Sequence, residues 1–450
     1  MEKVVLAGIT VAVTLSSSTY GMADDSNKVG SEEAKHVLLL SIDGMHAADF
    51  YNCSHGIAGV KGGGSVLPKY DGFEPNSNQL RGHLIFSAFG LLSGLAALAT
   101  GGTPRSTGLY YDLAYDRSLD APATTTGTGL AGGTCTPYAA PTGTTTDNDQ
   151  GIDLDDTKLN GGAPGAGLTE GGVASIDPKK LSRDPRAGCT PVYSWNFVRK
   201  NTIFSVIHRA GGYTAWIDKH PSYSFVVGPG GTGLDDYYSP EVNSAVVALP
   251  GVKTAEGVPC SPIRDMTNTS SWTNSFDNIQ CYDALKVNAL VNEIAGKTHK
   301  GVEARIPAVF GMNFQSVYIG ESVLEPNVGT GGYKNPAATP SDELLKQIEF
   351  VDASIGDIVS ALKDRGIYDD TLIIITAKHG DSPIDPTRYV ANVPNTPAAL
   401  LGSSIPFSES PLNSNGIGAT EDDVSVFWLK QGASVDAAVA LLESNAAQSD

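Results

Sequence analysis

The sequence predicts an α/β protein built on a doubly wound, mostly parallel sheet, and three observations carry that prediction. Nearly unbroken apolar runs of strand length, Val37 to Ile42 and Thr371 to Ala377, suit strands buried on both faces. Segments with a helical apolar stripe alternate with such runs, the clearest from Ser341 to Arg365. No repeat with a period of ~20–50 residues is visible, so the alternation describes strands and crossover helices of one sheet rather than a solenoid.

The elements follow in chain order. Asp43-Gly44 succeeds the first apolar run, which puts Asp43 at a strand's carboxyl end, where open α/β sheets collect their ligands. Leu91 to Ala99 reads as a helix of small apolar residues closed by Thr100-Gly101-Gly102. Residues 118–180 are rich in Gly, Thr, Ala and Pro without apolar period, and read as a long surface insertion. Asn201 to Arg209 reads as a helix ended by Gly211-Gly212, followed by strands at Tyr213 to Ile217 and Ala308 to Asn313. In the long helix, Ser341 is the N-cap and Asp342 and Glu343 complement the dipole. Leu344, Ile348, Val351, Ile355, Ile358 and Leu362 form its stripe, and Gly366 ends it. Val424 to Leu429 completes the strands and Val435 to Ala446 the helices.

Charge and termini restrict the function. The formal net charge is −19 and no basic run occurs, which argues against a nucleic acid duplex as partner, since phosphate contacts come from Lys and Arg. A phosphate-bearing substrate would need a local positive feature. Lys3, the apolar Val4 to Leu15 and the small residues at Gly21-Met22-Ala23 read as an export signal over residues 1–23, ahead of a domain over 24–450. That apolar stretch is shorter than the ~20 residues a bilayer needs, and no later segment comes close. The expectation is a secreted or extracytoplasmic protein with no membrane span. In an oxidising compartment the five cysteines read as disulfides: Cys260 with Cys281 first, Cys135 with Cys189 second, leaving Cys53 odd.

Three strand ends carry groups with chemistry. Asp43 follows the first strand, and Lys378-His379 follows the strand at residues 371–377. A carboxylate and an imidazole at adjacent strand tips are reasonable Zn²⁺ ligands, although an Asp after a strand is usually a turn residue and a lone His usually structural. Asp218-Lys219-His220 follows the strand at 213–217 and precedes Pro221, and it reads either as a phosphate or leaving-group contact or as a turn with a partly buried His.

In order along the chain, LLLSIDGM, LAALATGGTPRSTGLYYD, YTAWIDKHPSY, FGMNFQ and FVDASIGDIVSALKDRGIYDDTLIIITAKHGDSPID resemble the type I phosphodiesterase/nucleotide pyrophosphatase family of the alkaline phosphatase superfamily. The resemblance spans about residues 35–429 and implies an alkaline-phosphatase-like fold. It also implies metal-assisted hydrolysis of phosphodiester or pyrophosphate bonds in small phosphate-ester or nucleotide substrates, with zinc as the family's metal. In such sites two cations stabilise the attacking and leaving oxygens. Carried over by position, Asp43 matches the first-strand metal ligand and His379 the His of the family's DHG segment. The Asp of that segment is Lys378 here, which can act catalytically as a charge in place of a metal, as a Lys is a good phosphate partner. His220 is the second candidate catalytic group, with Asp218 and Lys219 as substrate contacts.

The match also has gaps. FQSVYIGE stands where the family has PDxxGH, no His follows His379, and the family's nucleophile position falls on Leu91, a residue that cannot attack phosphorus. Three accounts stay open: a divergent branch that uses Lys378; a local alteration over Asn78 to Leu92, where one shifted base would encode Asp-Ser-Phe-Pro; or a secreted non-catalytic binding protein on the same fold. A chain cut short before the distal His fits the same gaps.

Overall fold

A computed structural model describes residues 34–56, 60, 91–111, 113–126, 131–147, 173–242, 260, 273–380, 397–404, 419–421, 425–427, 429 and 432–445. The expected export signal, and the 78–90 part of the altered segment, lie outside these residues.

At the centre is an all-parallel sheet of five strands: β1 (His36–Ile42), β2 (Ala215–Ile217), β3 (Asp236–Tyr238), β4 (Val309–Phe314) and β5 (Thr371–Thr376). Their spatial order is β5-β1-β4-β2-β3. Leu39 of β1 pairs with Ile374 on one side and Gly311 on the other. Gly311 is required there, because a Cβ at that position would collide with the Leu39 backbone. The fold class expected from the apolar runs is therefore the one found.

The sheet is wound on both faces, and alternation along β1 shows how. Leu38, Leu40 and Ile42 pack with Phe310, Met312 and Phe314 against the core that includes two long helices, α4 (Phe276–Ile294) and α6 (Asp342–Arg365). Val37 and Leu39 point to the opposite core, which holds Leu92, Leu95 and Ala96 of α2 (Leu91–Thr100), Phe204 of α3 (Ile203–Arg209), and Trp216. Period-two alternation on a strand thus feeds two separate cores.

The local signals act as the sequence indicates. Ser341 Oγ accepts the Leu344 amide proton at 3.1 Å and Gly366 closes α6 in the left-handed region. Thr202, one residue inside the expected start, caps α3 by accepting from the Ser205 amide at 3.1 Å. Apolar runs alone do not reveal α4, whose stripe is broken by Gln280, Asp283, Lys286 and Glu293, all buried. Two shorter helices follow strands β1 and β4: α1 (Ala47–His55) and α5 (Ser316–Ser322).

Disulfides join Cys135 to Cys189 and Cys260 to Cys281, and Cys53 is buried and joins neither of them, as the cysteine reading expects. Parts of the 118–180 stretch are tied into the domain. Thr144–Asp147 pairs antiparallel with Leu113–Asp116, and Asp120 bridges to Arg183. No described helix is long and apolar enough to cross a membrane.

Candidate active site

Parallel strands end on the same edge, so residues just beyond β1, β2, β4 and β5 meet in one place although they lie far apart in the chain. Asp43 is at the centre of that meeting and is fully buried. Its Oδ1 accepts from Asn313 Nδ2 at 2.7 Å. Its Oδ2 accepts from Gln315 Nε2, and from Lys219 Nζ at 3.1 Å. Lys378 Nζ and His379 Nε2 each face the same oxygen at 3.4 Å, an ion-pair distance rather than a tight hydrogen bond.

Asp218 forms the second anionic corner. Its Oδ1 accepts from Lys378 Nζ at 3.2 Å and from the Lys219 amide at 2.8 Å, while Oδ2 accepts from Trp216 Nε1 at 2.8 Å. Two carboxylates and two ammonium groups therefore balance in formal charge. Aromatic rings wall the ammonium groups. Lys378 Nζ lies 4.7 Å from the Tyr223 centroid, Lys219 Nζ lies 6.0 Å from that of Tyr318, and Tyr318 meets the His379 imidazole edge-on.

Burial taken alone would raise the Asp43 carboxyl, but the Lys378 and Lys219 ammonium groups, with His379, override it and hold the group well below the usual carboxylate range. The carboxylate is thereby kept ionised.

A further layer holds the polar residues of β4. Asp283 of α4 accepts from the amides of Gln315 and Ser316, each at 2.8 Å, and from Ser316 Oγ at 2.6 Å, which satisfies the start of α5. Lys286 donates to the Asn313 carbonyl and pairs with Asp283 at 3.0 Å. Burial pulls the Lys286 ammonium below its ordinary range, against the opposing pull of Asp283.

Of the residues singled out in the sequence, Asp43, Asp218, Lys219, Lys378 and His379 converge. His220 is placed differently: its Nδ1 lies 3.0 Å from both oxygens of Glu241, and its ring is edge-on to Tyr223. Asn313, Asp283, Lys286 and Glu241 are not apparent from motifs, because the contacts that make them matter cross from other elements. Leu91 is the first residue of α2.

Asp43 and His379 supply two donors of a metal site. Tightly held zinc wants three or four protein ligands. Among the described residues no third His, Cys, Asp or Glu joins them within 4.8 Å, and two ammonium groups already face the carboxylate oxygen a dication would use. The donors described here do not fit a tightly bound zinc at this place.

Fold and site together describe an α/β scaffold with a parallel central sheet and cationic groups gathered at its strand tips. Residues 323–410 match the family model for Type I phosphodiesterase / nucleotide pyrophosphatase, bearing out the resemblance over the segment that carries α6, β5 and Lys378-His379. The chain is similar to the solved structure of phosphonoacetate hydrolase from Sinorhizobium meliloti 1021 in complex with phosphonoformate, at 14% identity over 91% of this chain and 73% of that one, with a TM-score of 0.43. It is similar to murine ectonucleotide pyrophosphatase / phosphodiesterase 5 at 14% identity over 90% and 69% of the two chains, TM-score 0.37. A Vibrio parahaemolyticus protein in the alkaline phosphatase superfamily is 14% identical over 80% and 58%, TM-score 0.32. No curated protein matches the sequence.

Proposed function

We propose that this protein hydrolyses phosphodiester or pyrophosphate bonds of small, nucleotide-like substrates at the strand tips around Asp43, and does so outside the cytoplasm. One observation carries the reading: Lys219, Lys378 and His379, from two different strand ends, converge on a single oxygen of a buried carboxylate. An oxyanion of a phosphate ester entering there would exchange with that carboxylate for the same donors. The two ammonium groups would offset charge that grows on the phosphoryl oxygens, and His379 Nε2 is the group able to hand a proton to the leaving oxygen. Asp43 and Asp218 hold both lysines extended toward that spot until substrate arrives. His220, next to Lys219 on the same loop, is the second candidate catalytic group, and Glu241 fixes its Nδ1 at 3.0 Å. Zinc in the family's manner would draw on Asp43 and His379, and would need ligands beyond them. The two disulfides support an oxidising, extracytoplasmic setting.

A second reading has its own observation. Leucine occupies the expected nucleophile position and the charges around Asp43 already balance, as in a binding protein that holds a phosphate compound without cleaving it. Turnover of p-nitrophenyl thymidine phosphate by the purified full chain, with and without chelator, separates the two. Cleavage supports the hydrolase, and a folded protein that binds phosphate without cleavage supports the binder.

A further inference from the structure

Behind the Asp43 loop lies a second cluster, made by different elements. His46 is the N-cap residue of α1, Asp49 sits in the first turn of that helix, and Glu321 belongs to the last turn of α5. Asp49 Oδ2 accepts from the His46 amide at 2.9 Å, the reach-back contact of a capping box. The same oxygen lies 2.9 Å from His46 Nδ1, and Glu321 Oε1 lies 3.2 Å from that nitrogen. The Tyr333 hydroxyl stands 2.9 Å from Asp49 Oδ1 and 3.0 Å from Glu321 Oε1.

We propose that His46, Asp49 and Glu321 form a binding site for a divalent transition-metal ion, with Tyr333 beside it. The three side chains are the one trio of His, Cys, Asp and Glu among the described residues whose ligand atoms all lie within 4.8 Å of one another. A tetrahedral ion with bonds near 2.1 Å asks for ligand atoms about 3.4 Å apart, and His46 Nδ1 already stands 2.9 and 3.2 Å from the two carboxylates.

Two further observations favour a cation at this place. The cluster holds two carboxylates in a buried place, and among the described residues neither is paired with a lysine or arginine. A single imidazole offsets at most one of those two charges, whereas a dication would offset both. Glu321, its side chain only 10% exposed, has Oε2 buried without a hydrogen-bond partner among the described residues. That oxygen sits against Gly44, where any Cβ would collide with it, so the loop after Asp43 is shaped around the carboxylate. One nitrogen with carboxylate oxygens is a donor set suited to zinc or manganese. An ion here would tie α1 to α5 and fix the Gly44 turn next to Asp43.

The test is zinc titration of the chelator-treated full chain, read by calorimetry and by melting temperature, on wild type, Glu321→Gln, Asp49→Asn and His379→Gln. One equivalent of zinc should bind the wild type and raise its melting temperature. The affinity should fall at least about thirtyfold in Glu321→Gln and in Asp49→Asn, and stay unchanged in His379→Gln. X-ray absorption of the zinc-loaded wild type should report nitrogen and oxygen ligands with a single imidazole, a readout that does not depend on how well the variants fold. The proposal is overturned if the wild type binds no zinc, if binding survives both carboxylate substitutions, or if it is lost in His379→Gln alone.

Discussion

The Oδ2 oxygen of Asp43 and the Nε2 nitrogen of His379 stand 3.4 Å apart across two neighbouring parallel strands, although 336 positions (379 − 43) separate them in the chain. Parallel pairing of β1 with β5 brings them together. In-register partners from His36 with Thr371 to Ser41 with Thr376 bring both strand ends to the same height. Lys378 then lies inside, toward Asp218, and His379 meets Asp43.

Asp43→Asn tests the burial of this arrangement. Read from the sequence alone, the substitution changes a ligand at little cost to folding. The structure revises that expectation, because asparagine would leave two buried ammonium groups facing a neutral amide. Loss of about 3–5 kcal/mol of stability is expected, measured by urea unfolding at neutral pH. Because the carboxyl is held low in the folded state, its contribution is present above the unfolded value near 4 and fades as pH falls below it.

Lys378→Met in the same background tests coupling. Each single change strands a charge, while Asp43→Asn with Lys378→Met removes one of each sign. The double variant should be more stable than the summed losses predict by about 1–3 kcal/mol, as determined by a double-mutant cycle. Strict additivity would mean that the two side chains do not interact.

Much of the fold was readable because it rests on local signals. β1, β5 and α6 declare themselves through apolar runs, a Ser N-cap and a terminal Gly, and the structure places each within a residue or so of the expected bounds. Helix α4 escaped because its inward face carries Asp283, Lys286 and Glu293, polar groups whose burial depends on partners elsewhere. The same reason governs the site. Asp43, Lys378 and His379 stand out by position after strands, whereas Asn313 is an ordinary strand residue until Asp43 is seen to accept from it. His46, Asp49 and Glu321 share no motif, and only the approach of α1 to α5 makes them a cluster.

Glu293→Gln should stabilise the protein at high pH. Glu293 is fully buried at the end of α4 with neither carboxylate oxygen hydrogen-bonded among the described residues. Burial, and after it the Asp236 charge, push its carboxyl well above the usual range. A carboxyl raised on folding stabilises below its unfolded value near 4.5 and loses that contribution as pH climbs toward the folded value. The glutamine variant lacks this loss. Its stability relative to wild type should therefore improve by at least about 1 kcal/mol between pH 5 and pH 8 in chemical denaturation. A flat difference across that range would contradict the assignment.

Removing the Cys260–Cys281 disulfide by paired serine substitution should cost about 2–4 kcal/mol, in keeping with the 21-residue separation it closes. Unfolding with and without a reductant reports it: the reductant should lower wild-type stability and should do less to the variant.

The most direct test of the strand-tip site compares hydrolysis of p-nitrophenyl thymidine phosphate by the wild type and by His379→Ala under identical conditions, with circular dichroism confirming that both are folded. Measurable wild-type turnover is expected, with a fall in kcat of about a hundredfold or more in the variant. Equal turnover by the two proteins would contradict this expectation.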